Sequence, residues 1–209
     1  METKNITGQE NRRDRILRSA KSLFLDEGIE HTSINMIAKS AGIAKGLFYY
    51  YFETKDDLVQ AIIEDIVTEH VDHLVTRIKE SSFDFLDSLL ILVDSYFDVN
   101  PHAPEQGNTA LWVEPEFILR FQEMFATKVS VIAENIVIRG QQKGYFDVSY
   151  PIEIITIILE GLLRVDSYEK FTFTKQKVCT LLETTLHLPS GILYPKAKSL
   201  LHNFEEEVN

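Results

Sequence analysis

Six residues between positions 45 and 55 carry the chemistry of a nucleic-acid contact: Lys45, Gly46, Tyr49, Tyr50, Tyr51 and Lys55. Lys45 offers a cation, and cations attract backbone phosphates. Gly46 has no side chain, so the backbone there can come close to a base edge or a methyl group. Three phenols follow in a row. Successive helical residues point about 100° apart, so the three cannot all face inward. At least one reaches outward, where its hydroxyl can bond a phosphate or a base; the sequence leaves open which. Lys55 opens the next helix, where the cation and the helix N-terminus both favour a phosphate. Phe48 and Phe52, four apart, read as core anchors.

The elements that must position these groups lie in the stretch TSINMIAKSAGIAKGLFYYYFETK, from Thr32 to Lys55. Thr32 and Ser33 are good caps for a short helix carrying Ile34, Ile37 and Ala38. That helix ends at Ala41-Gly42, and a second runs from Ala44 to Tyr51. Two short helices joined by a tight, glycine-containing turn have helix-turn-helix spacing. Ala38 and Ala41 are small because the helices cross closely, and Gly42 takes positive φ cheaply. In front lies a helix over 12–27 with Ile16, Ala20, Leu23 and Phe24 on one face, stopped by Gly28. Behind, Thr54 and Asp57 form a capping box that opens a long helix to about Lys79. Its stripe is Leu58, Ile62, Ile66, His70, Leu74 and Ile78.

This pattern resembles the DNA-binding domain of the TetR family of transcriptional regulators. The resemblance rests on Gly28, Thr32-Ser33, Ile37-Ala38, Ala41-Gly42-Ile43, Lys45-Gly46, Tyr49-Tyr50-Tyr51-Phe52 and Thr54-Lys55, and covers residues 12–57. It implies an all-α fold, with a three-helix helix-turn-helix domain at 1–55 and a helical ligand-binding and dimerisation domain at 56–209. It implies phosphate contacts from Thr32 or Ser33, Tyr50, Tyr51 and Lys55, and base or groove contacts from Lys45, Gly46 and Tyr49. The implied function is that of a regulator, a repressor by the family's commoner habit, released from operator DNA by a small-molecule ligand. The chain departs from the pattern in three places. Ala44 stands where a small hydroxyl residue usually opens the recognition helix. Leu47 stands where Thr or Asn is frequent, and either meets a thymine methyl or packs inside. Tyr51 replaces a commoner histidine.

Charge places the contact at one end of the chain. The net charge of -11 by itself opposes nucleic-acid binding. Residues 1–55, however, hold nine Lys+Arg against seven Asp+Glu, whereas 56–209 hold 12 against 25. The first quarter is the part DNA would not repel. The single cysteine, Cys179, permits no intrachain disulfide and fits a cytoplasmic location. It reads as a buried thiol, with a redox sensor as the alternative. Nothing resembles a secretory signal or a membrane span.

The rest of the chain reads as further helices. They lie near 83–96, from about Thr109 to Val113 before Pro115, 117–143, 151–168, 174–188 and 195–206, with a loop at 100–108. Tyr96, Trp112, Glu114, Phe117, Phe121 and Phe125 are the candidates to line a small-molecule cavity, the alternative being plain core. Glu114, Glu116 or Glu160 would then meet a cationic ligand; solvated carboxylates are the other reading. The helices near 151–168 and 174–188 are apolar around most of their girth. Ile155, Leu159, Leu162, Leu163, Leu181 and Leu182 are therefore candidates for a homodimer interface, since a reader of this kind needs two half-sites. His70 and His73 have a spacing that can hold a metal, but they read as exposed polar residues, and no metal or cofactor is expected. An enzyme is the rival from another class, and no catalytic motif supports it. A second rival keeps the fold without DNA binding, against which stand Lys45, Gly46, Tyr49 and Lys55.

Overall fold

A computed structural model describes residues 6–80, 84–98, 114–165 and 174–200. Among these residues the ordered elements are helices: α1 (Ile6–Glu27), α2 (Ile34–Ser40), α3 (Lys45–Tyr51), α4 (Lys55–Glu80), α5 (Phe85–Asp98), α6 (Pro115–Gln142), α7 (Pro151–Val165), α8 (Lys175–Thr185) and α9 (Leu193–Leu200). The all-α expectation is met. Of the described residues, those up to Thr68 together with 114–121 form one compact unit, and 69–98 with those from 122 onward form another. This grouping places the first 14 residues of α4 with the helix-turn-helix, beyond the expected boundary at 55.

In the first unit, α1 packs on α2 and α2 on α3. Ile16, Ala20, Phe24, Ile37, Ala38, Phe48, Phe52, Leu58 and Ile62 are all buried there. The turn between α2 and α3 follows from Gly42, whose φ is +63°. That conformation lets Gly42 N–H donate to the Lys39 carbonyl (3.2 Å) and Ile43 N–H to the Ala38 carbonyl (3.0 Å). The pair of bonds closes the orphan carbonyls at the end of α2. At the start of α4 the capping box is reciprocal: Asp57 N–H donates to Thr54 Oγ1 (3.0 Å), and Thr54 N–H donates to Asp57 Oδ2 (2.9 Å). Pro115 opens α6, where a first-turn proline lacks only an N–H that would go unpaired. The expected helix before it, near 109–113, and the loop at 100–108 lie outside the described residues.

In the second unit, α5 packs against α7, α8 and α9, and α8 against α9. Asp94 on α5 is 3% exposed and takes Arg77 on Oδ2 and Lys175 on Oδ1, each at 2.7 Å. Two cations on one buried carboxylate offset its loss of hydration. Glu183 accepts backbone N–H groups of Gly191 and Leu193 at 2.7 Å and so caps α9. Phe85 packs beside Tyr145 and Phe146, ring centroids 5.0 and 5.3 Å apart, and against the α6 backbone at Gly140. Only a residue without Cβ lets that ring approach so closely.

Candidate nucleic-acid interface

α3 sorts its residues by face, as a 3.6-residue period requires. Phe48 is fully buried, and Phe52 just beyond the helix is 5% exposed. Leu47 and Tyr51 flank them, half-buried. Lys45, Gly46, Tyr49 and Tyr50 share the opposite, exposed face. Tyr49 and Tyr50 are 47% and 68% exposed, so they are the outward phenols, and Tyr51 is the one drawn toward the core. The Tyr49 ring stands edge-on to Phe48 at 5.5 Å, and Tyr50 stands edge-on to Tyr51 at 5.0 Å. Such edge-to-face pairs restrain the outward rings without covering their hydroxyls. A Cβ at Gly46 would meet nothing within 4 Å, so the backbone there is open to an approaching surface. Ala44 is the N-cap of α3, in extended conformation, and gives no side-chain cap.

Two candidate contacts are redirected inward. Thr32 is 1% exposed, and its hydroxyl donates to the Gly28 carbonyl at 2.8 Å. It closes the end of α1 and leaves no hydroxyl at the surface for a phosphate. Ser33, beside it, is exposed and is the working cap: its Oγ accepts from Met36 N–H at 3.3 Å. The Lys55 ammonium donates to the Ile29 carbonyl (2.9 Å) and the Thr32 carbonyl (3.2 Å). It therefore ties the first turn of α4 to the loop before α2, which makes its first role structural. Arg13, not among the candidates, lies 5.4 Å from the Phe52 ring centroid and pins α1 to the end of α3. Its charge pattern gave no signal, because a cation–π partner 39 residues away has no local spacing.

The other candidates divide between the two units. Glu114 and Phe117 line a small cavity of about 150 Å³ with Glu30, Lys55, Asp56 and Arg120. Arg120 bridges Asp56 at 2.7 Å and Glu116 at 2.6 Å; the latter is an i,i+4 pair legible in sequence. Phe121 is fully buried in the same unit. Trp112 lies outside the described residues. Tyr96 and Phe125 pack edge-to-face at 5.2 Å in the second unit. Burial pushes the Tyr96 hydroxyl's pKa up, and the Glu160 charge adds to this. Ile155, Leu159, Leu163 and Leu182 are all under 8% exposed within the single chain, so their own core covers them. Ile157 and Leu181, at 72% and 37%, are the apolar residues of α7 and α8 that stand outward. Cys179 is buried, and its pKa is pushed up to about 11 by that burial and by the Glu183 charge. Among the described residues, no three His, Cys, Asp or Glu side chains converge to hold a metal ion. Nor is any helix among them long and apolar enough to cross a membrane.

Residues 16–62 match the family model described as bacterial regulatory proteins, tetR family. The chain is 37% identical over 84 residues to the uncharacterized HTH-type transcriptional regulator YvdT of Bacillus subtilis, a match spanning 40% of this chain and 43% of that protein. It is 27% identical over 165 residues to the HTH-type transcriptional regulator TtgR of Pseudomonas putida, over 73% of this chain and 78% of that one. The fold is similar to that of RolR crystallised without ligand, with a TM-score of 0.65 at 18% identity, covering 92% of this chain and 100% of that chain. For RolR in complex with resorcinol the TM-score is 0.61 at 18% identity, covering 96% and 98%. At that identity the structural likeness bears on the fold alone. The helix-turn-helix carried by α2 and α3 sits inside the matched segment, so residues 16–62 form a helix-turn-helix segment of the tetR type, and the chain spans less than half the length of the first curated relative it matches.

Proposed function

We propose that the chain is a homodimeric transcription regulator that binds operator DNA through α3 and is released by a small molecule held in its second unit. The observation that carries this reading is the exposed face of α3. Lys45, Gly46, Tyr49 and Tyr50 stand together there, supplying a cation, an open backbone and two phenols. Ser33 at the start of α2 adds a hydroxyl on the surface. A short recognition helix of this composition reads a major groove, and two copies read the two half-sites of an operator. The basic first quarter and acidic remainder orient the encounter. Ala44 and Leu47 then adjust operator preference, and Tyr51 supports the helix from its half-buried position. Repression with ligand-induced release is the mode favoured by family resemblance. Ligand shifts the population between two arrangements of the paired heads, one of which fits consecutive major grooves.

Gel-shift titrations with DNA upstream of the protein's own gene, and with genomic fragments, at several salt concentrations, test this. A specific complex whose affinity falls steeply with salt is the expected result. Absence of any sequence-specific complex would overturn the reading. Tyr49→Ala should weaken specific binding more than non-specific binding, because base-edge contacts carry the discrimination.

A further inference from the structure

The second unit contains a cavity of about 330 Å³ formed by the ends of α4 and α6 and the start of α5. The volume is at the small end of the range of about 300–1,000 Å³ usual for ligand sites. Its floor is apolar. Ile78, Phe85 and Ile136 line it and are each less than 10% exposed. Phe85 is held by Tyr145, Phe146 and the bare backbone of Gly140. Around this floor stand Lys79, Arg139 and Lys143, all exposed.

Part of this charge has a simpler cause. Basic residues in the last turns of α4 and α6 complement the helix dipoles, and Lys79 and Arg139 occupy those turns. That effect asks only that each cation sit near its own helix end. It does not require cations of two helices to converge on one hollow. Nor does it explain the balance of charge at the hollow. Residues 56–209 hold 25 acidic against 12 basic side chains, yet among the described residues no acidic one lines this cavity and three basic ones do. None of the three forms an ion pair with another described residue. Convergent cations over an apolar floor are complementary to a molecule with a negative head and an apolar body.

The geometry points to this cavity as a binding site for a small amphipathic organic anion, with a carboxylate as the matching head group. The Arg139 guanidinium presents a planar fork that suits a carboxylate, and the two lysines add point charges. The apolar body lies on Phe85, Ile78 and Ile136, where burial of its surface contributes the remaining affinity. This rests on the reading above that the second unit senses a small molecule. It names the site and the ligand class, with a charge opposite to that expected if Glu114, Glu116 or Glu160 met the ligand.

Isothermal titration of the full chain with three probes of one shape tests it: 4-phenylbutyrate, 4-phenylbutan-1-ol and 4-phenylbutylamine. The carboxylate should bind saturably, the alcohol at least tenfold more weakly, and the amine more weakly still. Arg139→Gln with Lys143→Gln should lower carboxylate affinity at least tenfold and leave the alcohol unchanged. Ile132→Trp, which fills the hollow from its wall, should abolish binding of both, with circular dichroism confirming the fold. Equal binding of the three probes, no saturable carboxylate binding, or affinity indifferent to these substitutions would each overturn the site. Because the readout contains no DNA, such a failure is separate from failure of operator binding, which the gel shift reports.

Discussion

Lys45 and Lys55 are both lysines at the start of a helix, and their surroundings give them opposite consequences. The Lys55 ammonium spends two of its donors on the carbonyls of Ile29 and Thr32. Lys55→Ala removes both bonds and leaves two half-covered carbonyls, so chemical denaturation should show a loss of about 1–3 kcal/mol. Lys45 is exposed, and Lys45→Ala should leave stability within about 0.5 kcal/mol while weakening DNA binding in gel shifts. Cys179 gives a second prediction at this scale. Its thiol titrates at about 11 instead of 9.0. At pH 8 the folded chain should therefore react with a disulfide reagent about a hundredfold more slowly than the denatured chain. Unfolding returns the thiol toward 9.0, so the unfolded chain ionises first and this residue's contribution to stability declines as pH climbs from 9.0 to about 11. Phe48 and Phe52 were legible in the sequence as the inward anchors of α3, but which of the three phenols stand outward was not, because three consecutive residues fit the helical period in more than one phase. The inward turn of Thr32 and Lys55 was not legible either, since the Lys55 bond to Ile29 spans 26 residues and leaves no periodic trace.

At the scale of elements, caps and close approaches decide where helices start and how they meet. The Thr54–Asp57 box was legible because it is a four-residue signature. The meeting of α5 with the end of α6 was not, because it depends on what Gly140 lacks. A Cβ there would collide with the Phe85 ring and come within 2.8 Å of Phe146. Gly140→Ala should lower stability by about 1–3 kcal/mol through overpacking, measured by thermal or urea unfolding. Gly46→Ala is the matched control, since its Cβ would enter open space. It should spare stability and be felt only in operator affinity. The interface candidates on α7 and α8 illustrate a limit of periodicity. A helix apolar on nearly all sides looks the same in sequence whether it faces its own core or a second copy. Burial separates the cases: Ile155 and Leu159 are covered by their own chain, and Ile157 is not.

For the whole molecule, the proposed dimer places its weight on the residues that remain outward. Ile157→Glu and Leu181→Glu should shift the protein toward monomer in light scattering, and operator affinity should fall with it, because two linked half-sites bind more tightly than one. The fold class was legible from helical spacing throughout. The cationic hollow was not, because its lining comes from 75–79, 85–88 and 132–143, three stretches with no common motif. Lys55 again matters at this scale. α4 is one unbroken helix from Lys55 to Glu80, and its first residue grips the loop from which Ser33 launches α2. A strain on the first turn of α4 would therefore reach that loop directly through the Lys55 side chain, with no other side chain as intermediary.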